Sequence, residues 1–131
     1  MVKKAALLFG VVFLVIGVLG FVSIFTPQDS NGMPLLLGVF MVGAIHNIIH
    51  IASGIAALIG SRSERYATTY FKVFGIVYAL VTVVGFVQTD TVLGLISVNL
   101  ADNFLHLAIA AVSLYLGFGN VGNKVSTSVN V

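Results

Sequence analysis

The chain has 131 residues, 59% of them hydrophobic and only 8% charged, with a net charge of +2 and a mean hydropathy of +1.13. A soluble domain carries roughly 25% charged residues, so an ordinary soluble enzyme and a disordered chain are both excluded, and so small a net charge gives no footing for nucleic acid. Cysteine is absent, which removes disulfides, thiolate nucleophiles and cysteine metal sites together.

Four apolar stretches are long enough to cross a hydrocarbon core of about 30 Å at about 1.5 Å per helical residue. They are 5–25, 35–60, 70–87 and 91–118. The expected fold is all-α: an integral-membrane four-helix bundle over 1–118, followed by a flexible cytoplasmic tail over 119–131.

The first stretch follows Lys3 and Lys4, the charge pattern of a signal peptide. Its 21 residues exceed the usual h-region and no A-x-A site precedes Pro27, so it is expected to be retained. The second stretch carries Gly43, His46, Asn47, His50 and Gly54 within one arc about 100° wide. Ala52, Ala56 and Gly60 form a separate small-residue ridge, suited to a neighbouring helix or a second copy of the chain. The third stretch is the shortest, and its Lys72 lies near enough to the end to extend its ammonium to the interface. The fourth carries Asn99, Asp102, Asn103, His106, Ala110 and Ser113 on one face.

All six basic residues fall on one side of such a bundle: Lys3, Lys4, Arg62, Arg65, Lys72 and Lys124. The other two connectors carry Asp29 and Asp90 without Lys or Arg. The positive-inside rule then places both termini in the cytoplasm, with the bundle in a bacterial inner membrane.

The chain also aligns with itself. Residues 8–22 match 73–87 at an offset of 65 with seven of fifteen identities. The second and fourth stretches align at an offset of 56, pairing Leu37 with Leu93, Gly38 with Gly94, Asn47 with Asn103, His50 with His106 and Leu58 with Leu114. The offsets differ by nine, the length of the extra connector 26–34. A tandem duplication of a two-helix hairpin is expected, its copies related by a pseudo-twofold axis along the membrane normal. On the first and third stretches Gly10, Gly17 and Gly20 then correspond to Gly75, Thr82 and Gly85, and Phe13 to Tyr78. These small and polar seams are expected to face one another, because small residues allow close backbone approach and polar groups find no partner in hydrocarbon.

The cluster His46, Asn47, His50, Asn99, Asp102, Asn103 and His106 has three readings. The first is structural, a hydrogen-bond network knitting helices two and four, in which Asp102, placed near the bilayer centre, pairs with one of the histidines. The second is a transition-metal site, because His46-x-x-x-His50 and Asp102-x-x-x-His106 each put two ligands one turn apart. The third is a haem held between His50 and His106. The first reading takes no cofactor.

The two motifs HNxxH (His46, Asn47, His50) and DNxxH (Asp102, Asn103, His106) resemble those of a bacterial family catalogued as domain of unknown function 4383, over about residues 4–118. The resemblance implies a small four-span membrane protein and no established activity. The expectation is accordingly a non-enzymatic subunit or accessory factor whose partners are the bilayer and a homo-oligomer or larger membrane complex, with a metal- or haem-binding protein as the alternative.

Overall fold

A computed structural model describes residues 1–119; the expected tail lies outside the described residues apart from Gly119. The chain is mostly helical, with α1 (Val2–Leu19), α2 (Ala44–Gly60), α3 (Glu64–Gln88) and α4 (Leu100–Phe118). Three of the four helices, α1, α3 and α4, are long and apolar enough to cross a membrane, while α2 is an apolar helix of 17 residues.

Two helices begin later than the apolar stretches that contain them. Residues 35–42 and 91–98 are not helical: β1 (Leu35–Leu36) pairs antiparallel with β2 (Phe40–Met41), and β3 (Thr91–Val92) with β4 (Ile96–Ser97). Both hairpins turn through a leucine and a glycine at positive φ: Leu37 (54°) with Gly38 (74°), and Leu93 (55°) with Gly94 (68°). That region suits glycine and is uncommon for leucine, so each turn breaks the helix in a segment whose hydropathy continues unchanged. The registers coincide at the offset of 56, Leu35 opposite Met41 and Thr91 opposite Ser97.

The helices bury small and polar residues together with aromatic rings, and expose many of their Val, Leu and Ile side chains. Gly10, Phe13 and Gly17 of α1 are buried while Leu8, Val15 and Val18 are about half exposed or more. Packing is tightest between α1 and α2 and between α3 and α4. A Cβ on Gly54 would stand 2.8 Å from the Leu14 nitrogen, and one on Gly75 2.9 Å from that of Leu114, so in both pairs backbone meets backbone. Gly17 likewise faces the Asn47 carbonyl and Ile51. Gly43, expected at such a contact, instead precedes α2 as its N-cap with open space where a Cβ would be.

Val2 and Ala6 of α1, Ala67 and Phe71 of α3 and Leu116 of α4 form one apolar cluster, which brings the ends bearing Lys3, Lys4 and Arg65 together, opposite the two hairpins. A second cluster of Phe13, Phe74, Tyr78 and Ala110 fills the middle and forms the floor beneath the histidines. Lys72 lies on α3 with Nζ 5.3 Å from the centre of the Phe118 ring, a cation–π contact that holds its charge at the helix surface.

Candidate functional site

The polar residues of the cluster all lie at the starts of α2 and α4, beside the hairpins, so Asp102 does not sit midway along its helix as expected. Asp102 is the third residue of α4, not a mid-helix group. There it completes a capping box: the Asn99 side chain accepts from Asp102 N at 3.0 Å, and Asp102 Oδ2 accepts from Asn99 N at 2.8 Å. The same Oδ2 accepts the Met41 amide of β2 at 3.0 Å. The acidic group thus pairs with two backbone amides, of the helix start and of the opposite hairpin, and among the described residues no imidazole is its partner. The spacing Asn99-x-x-Asp102 was itself a legible capping signal, although it lies inside an apolar stretch that reads as continuous helix.

At the corresponding place on α2 stands His46. Its Nδ1 is 3.1 Å from the carbonyl oxygen of Ser97 in β4. Positions 46 and 102, like 41 and 97, are 56 apart, so the two contacts are the same crossing made in opposite senses. Asn99 adds a third link, donating from Nδ2 to the Val39 carbonyl at 2.7 Å. The two halves are joined by side chains of one reaching the hairpin backbone of the other.

Asn47 and Asn103 do not knit α2 to α4 as expected. Asn47 covers Gly20, and Asn103 covers Gly85, where any Cβ would collide with the amide group. Each asparagine therefore serves its own helix pair, because its length spans only the gap that a glycine leaves. Thr82 Oγ1 donates to the Tyr78 carbonyl at 2.7 Å.

His46, His50 and His106 are all buried, and one nitrogen from each lies within 4.8 Å of the others. Two aromatic supports hold the outer pair in matching poses: Phe13 meets His50 edge-on at 5.4 Å and 86°, and Tyr78 meets His106 at 5.4 Å and 88°. His46 packs against both, 4.5 Å from His50 and 5.7 Å from His106 between ring centres. Asp102 does not belong to this group. A haem between His50 and His106 would need an open slab there, and the His46 ring stands beside both.

The Ser97 carbonyl can only accept, so Nδ1 of His46 carries the proton and Nε2 keeps its lone pair. Nδ1 of His50 and Nδ1 of His106 are buried with no hydrogen-bond partner among the described residues. The Ser97 carbonyl holds His46 as an outer-shell partner holds a metal-ligating imidazole, and the unpartnered nitrogens of His50 and His106 are not committed to any other bond among the described residues. Zinc–nitrogen bonds of about 2.0–2.1 Å put tetrahedral ligands about 3.4 Å apart, so closing the site requires about 1 Å of side-chain movement.

A cavity of about 530 Å³ adjoins this group, between α2 and α3, with His46 and His106 in its wall. Ala52, Ala56, Val73 and Val77 form its exposed rim and Phe74 and Tyr78 its buried floor. Ala52 and Ala56 of the small-residue ridge face this opening, while Gly60 packs against Tyr66, Ala67 and Tyr70 of α3.

The chain belongs to the family described as Domain of unknown function (DUF4383), whose model matches residues 3–119. No curated protein and no solved structure matches it.

Proposed function

We propose that this member of the family is an integral membrane protein that binds one divalent transition metal ion through His46, His50 and His106. The observation that carries the reading is the convergence of three buried imidazoles within 4.8 Å, two of them with an unpartnered nitrogen. Three neutral nitrogen donors suit zinc or a neighbouring borderline metal and leave a fourth position for an outside ligand. Binding, and not a reaction, is what is proposed.

The surrounding architecture is read as a duplicated helix pair in which the polar positions of the two copies differ most consequentially at 46 and 102. Coincident hairpin registers, the Phe13–His50 and Tyr78–His106 pairs, and the Asn47–Gly20 and Asn103–Gly85 fits support this, each at the offsets of 56 and 65. Divergence at 46 and 102 leaves one half with a third imidazole and the other with a capping carboxylate. The basic ends point to the cytoplasm and the hairpins to the far side of a bacterial inner membrane, supported by Lys3, Lys4, Arg62 and Arg65 against Asp29 and Asp90.

A second reading, in which the polar cluster only joins the two halves within an accessory subunit, is favoured by the bonds of Asp102, Asn99 and His46 to hairpin backbone. It assigns no task to His50 and His106.

Elemental analysis of detergent-purified protein distinguishes them. The metal reading expects about one ion per chain, lost in His50→Ala and His106→Ala variants that remain folded. Metal-free protein that takes up no zinc, copper, nickel or cobalt on titration would overturn it.

A further inference from the structure

We infer that the groove between α2 and α3 seats a long-chain carboxylate of the fatty-acid class, its head group taking the open position of the three-histidine centre and its chain lying between the helices. The inference rests on the metal reading above.

Charge selects the head group. Three neutral imidazoles leave a divalent ion with its full charge in a buried site, and an uncompensated buried charge is costly. The nearby carboxylate of Asp102 is outside the ligand group, and its Oδ2 is held by two backbone amides. An anion from outside the chain meets the need, and the groove that reaches His46 and His106 is the way in.

Shape and polarity select the tail. The groove runs along α2 from His46 to Ala56, ten residues, or about 15 Å at the helical rise. Its volume of about 530 Å³ lies within the range of small-molecule sites. Away from the histidines the polar groups of the wall are already engaged: Tyr70 donates to the Ser53 carbonyl at 3.3 Å and Thr69 to the Arg65 carbonyl at 3.0 Å. The hydroxyls of Ser53 and Tyr78 face each other, and the remaining surface there is alanine, valine, isoleucine and phenylalanine, which offers an alkyl chain contact. The exposed rim of Ala52, Ala56, Val73 and Val77 opens on the outer face of the bundle, the side from which a membrane-dissolved amphiphile enters.

Comparison within the chain points the same way. On the equivalent faces of the other half, Ala5 stands for Tyr70, Phe13 for Tyr78, Ile109 for Ser53 and Asp102 for His46. On the α2–α3 side an apolar slot meets two imidazoles at one end.

The test uses the full chain in mild detergent, loaded with Zn²⁺ and assayed for metal content, with the fluorescent fatty acid cis-parinaric acid as probe and palmitate and methyl palmitate as competitors. Palmitate is expected to displace the probe at least tenfold better than its uncharged ester. Stripping the metal with a chelator is expected to weaken probe binding at least tenfold. Ala56→Phe and Val77→Trp, both at the rim and away from the imidazoles, are expected to keep full metal content and lose probe binding by a similar factor. Equal competition by the ester, or unchanged probe binding in both metal-loaded rim variants, overturns the fatty-acid inference and leaves the metal centre standing. Failure of the unmodified chain to take up metal overturns both.

Discussion

Asp102 Oδ2 accepts the amide hydrogen of Met41 at 3.0 Å, bonding the first turn of α4 to a strand 61 positions earlier in the chain. Because the same oxygen also accepts from Asn99 N, one carboxylate oxygen satisfies two backbone amides. Replacing Asp102 by Ala leaves both without this acceptor, at about 1–3 kcal/mol each. Asp102→Asn keeps an acceptor oxygen and gives up the charge assistance, costing about 1 kcal/mol. Thermal unfolding in detergent, followed by circular dichroism, should therefore rank Asn well above Ala; equal losses would show that the acceptor geometry is not what matters.

The asparagine-over-glycine contacts set a second expectation. Gly20→Ala and Gly85→Ala each push a methyl group into the Asn47 or Asn103 side chain and should destabilise by about 1–3 kcal/mol, as overpacking does. Gly43→Ala meets open space at an extended φ of −159° and should cost less than about 1 kcal/mol. The same unfolding assay separates the two classes, and a Gly43 variant as damaged as the others would refute the contact assignment.

Metal retention should depend on pH in a definite sense. Protons compete for the imidazole lone pairs, so affinity for zinc falls as pH falls and bound metal is released on acidification. Asp102→Asn should keep its metal, because the carboxylate lies outside the three-nitrogen group. Stoichiometric loss of zinc in that variant, with the fold intact, would make Asp102 a ligand after all.

Membrane orientation is testable because the chain has no cysteine. Single cysteines at Ser30 and Ser63 place one thiol in each class of connector. A membrane-impermeant maleimide applied to intact cells should label position 30 and leave 63 unlabelled until the cells are opened. The opposite pattern would invert the proposed topology.

Much of this was legible from the residues. The seams are a matter of composition: glycine, asparagine and histidine recur at helical spacing in segments otherwise made of valine, leucine and isoleucine, and only one face of each helix can turn inward. Burial of Gly10, Gly17, Asn47, His50, Gly75, Tyr78, Thr82, Gly85, Asn103 and His106 follows that rule. Of the two helix starts inside the apolar stretches, only that of α4 carried a signal, Asn99-x-x-Asp102. Hydropathy is continuous across 35–60 and 91–118, and the signal that breaks it is a Leu-Gly pair at positive φ, a backbone property that apolar composition conceals.

Sequence alone determined which side chains leave the outer surface, because an apolar surround rejects polar groups regardless of how the helices are arranged. Tertiary structure decided what those groups meet. Asp102 and His46 occupy equivalent positions, yet one receives an amide hydrogen from Met41 and the other lies against the carbonyl oxygen of Ser97. That outcome turns on which backbone group each strand presents across the bundle. A carboxylate can only accept from an amide, and an imidazole N–H can only donate to a carbonyl, so the crossing of the two hairpins commits Asp102 to the scaffold and leaves Nε2 of His46 with its lone pair.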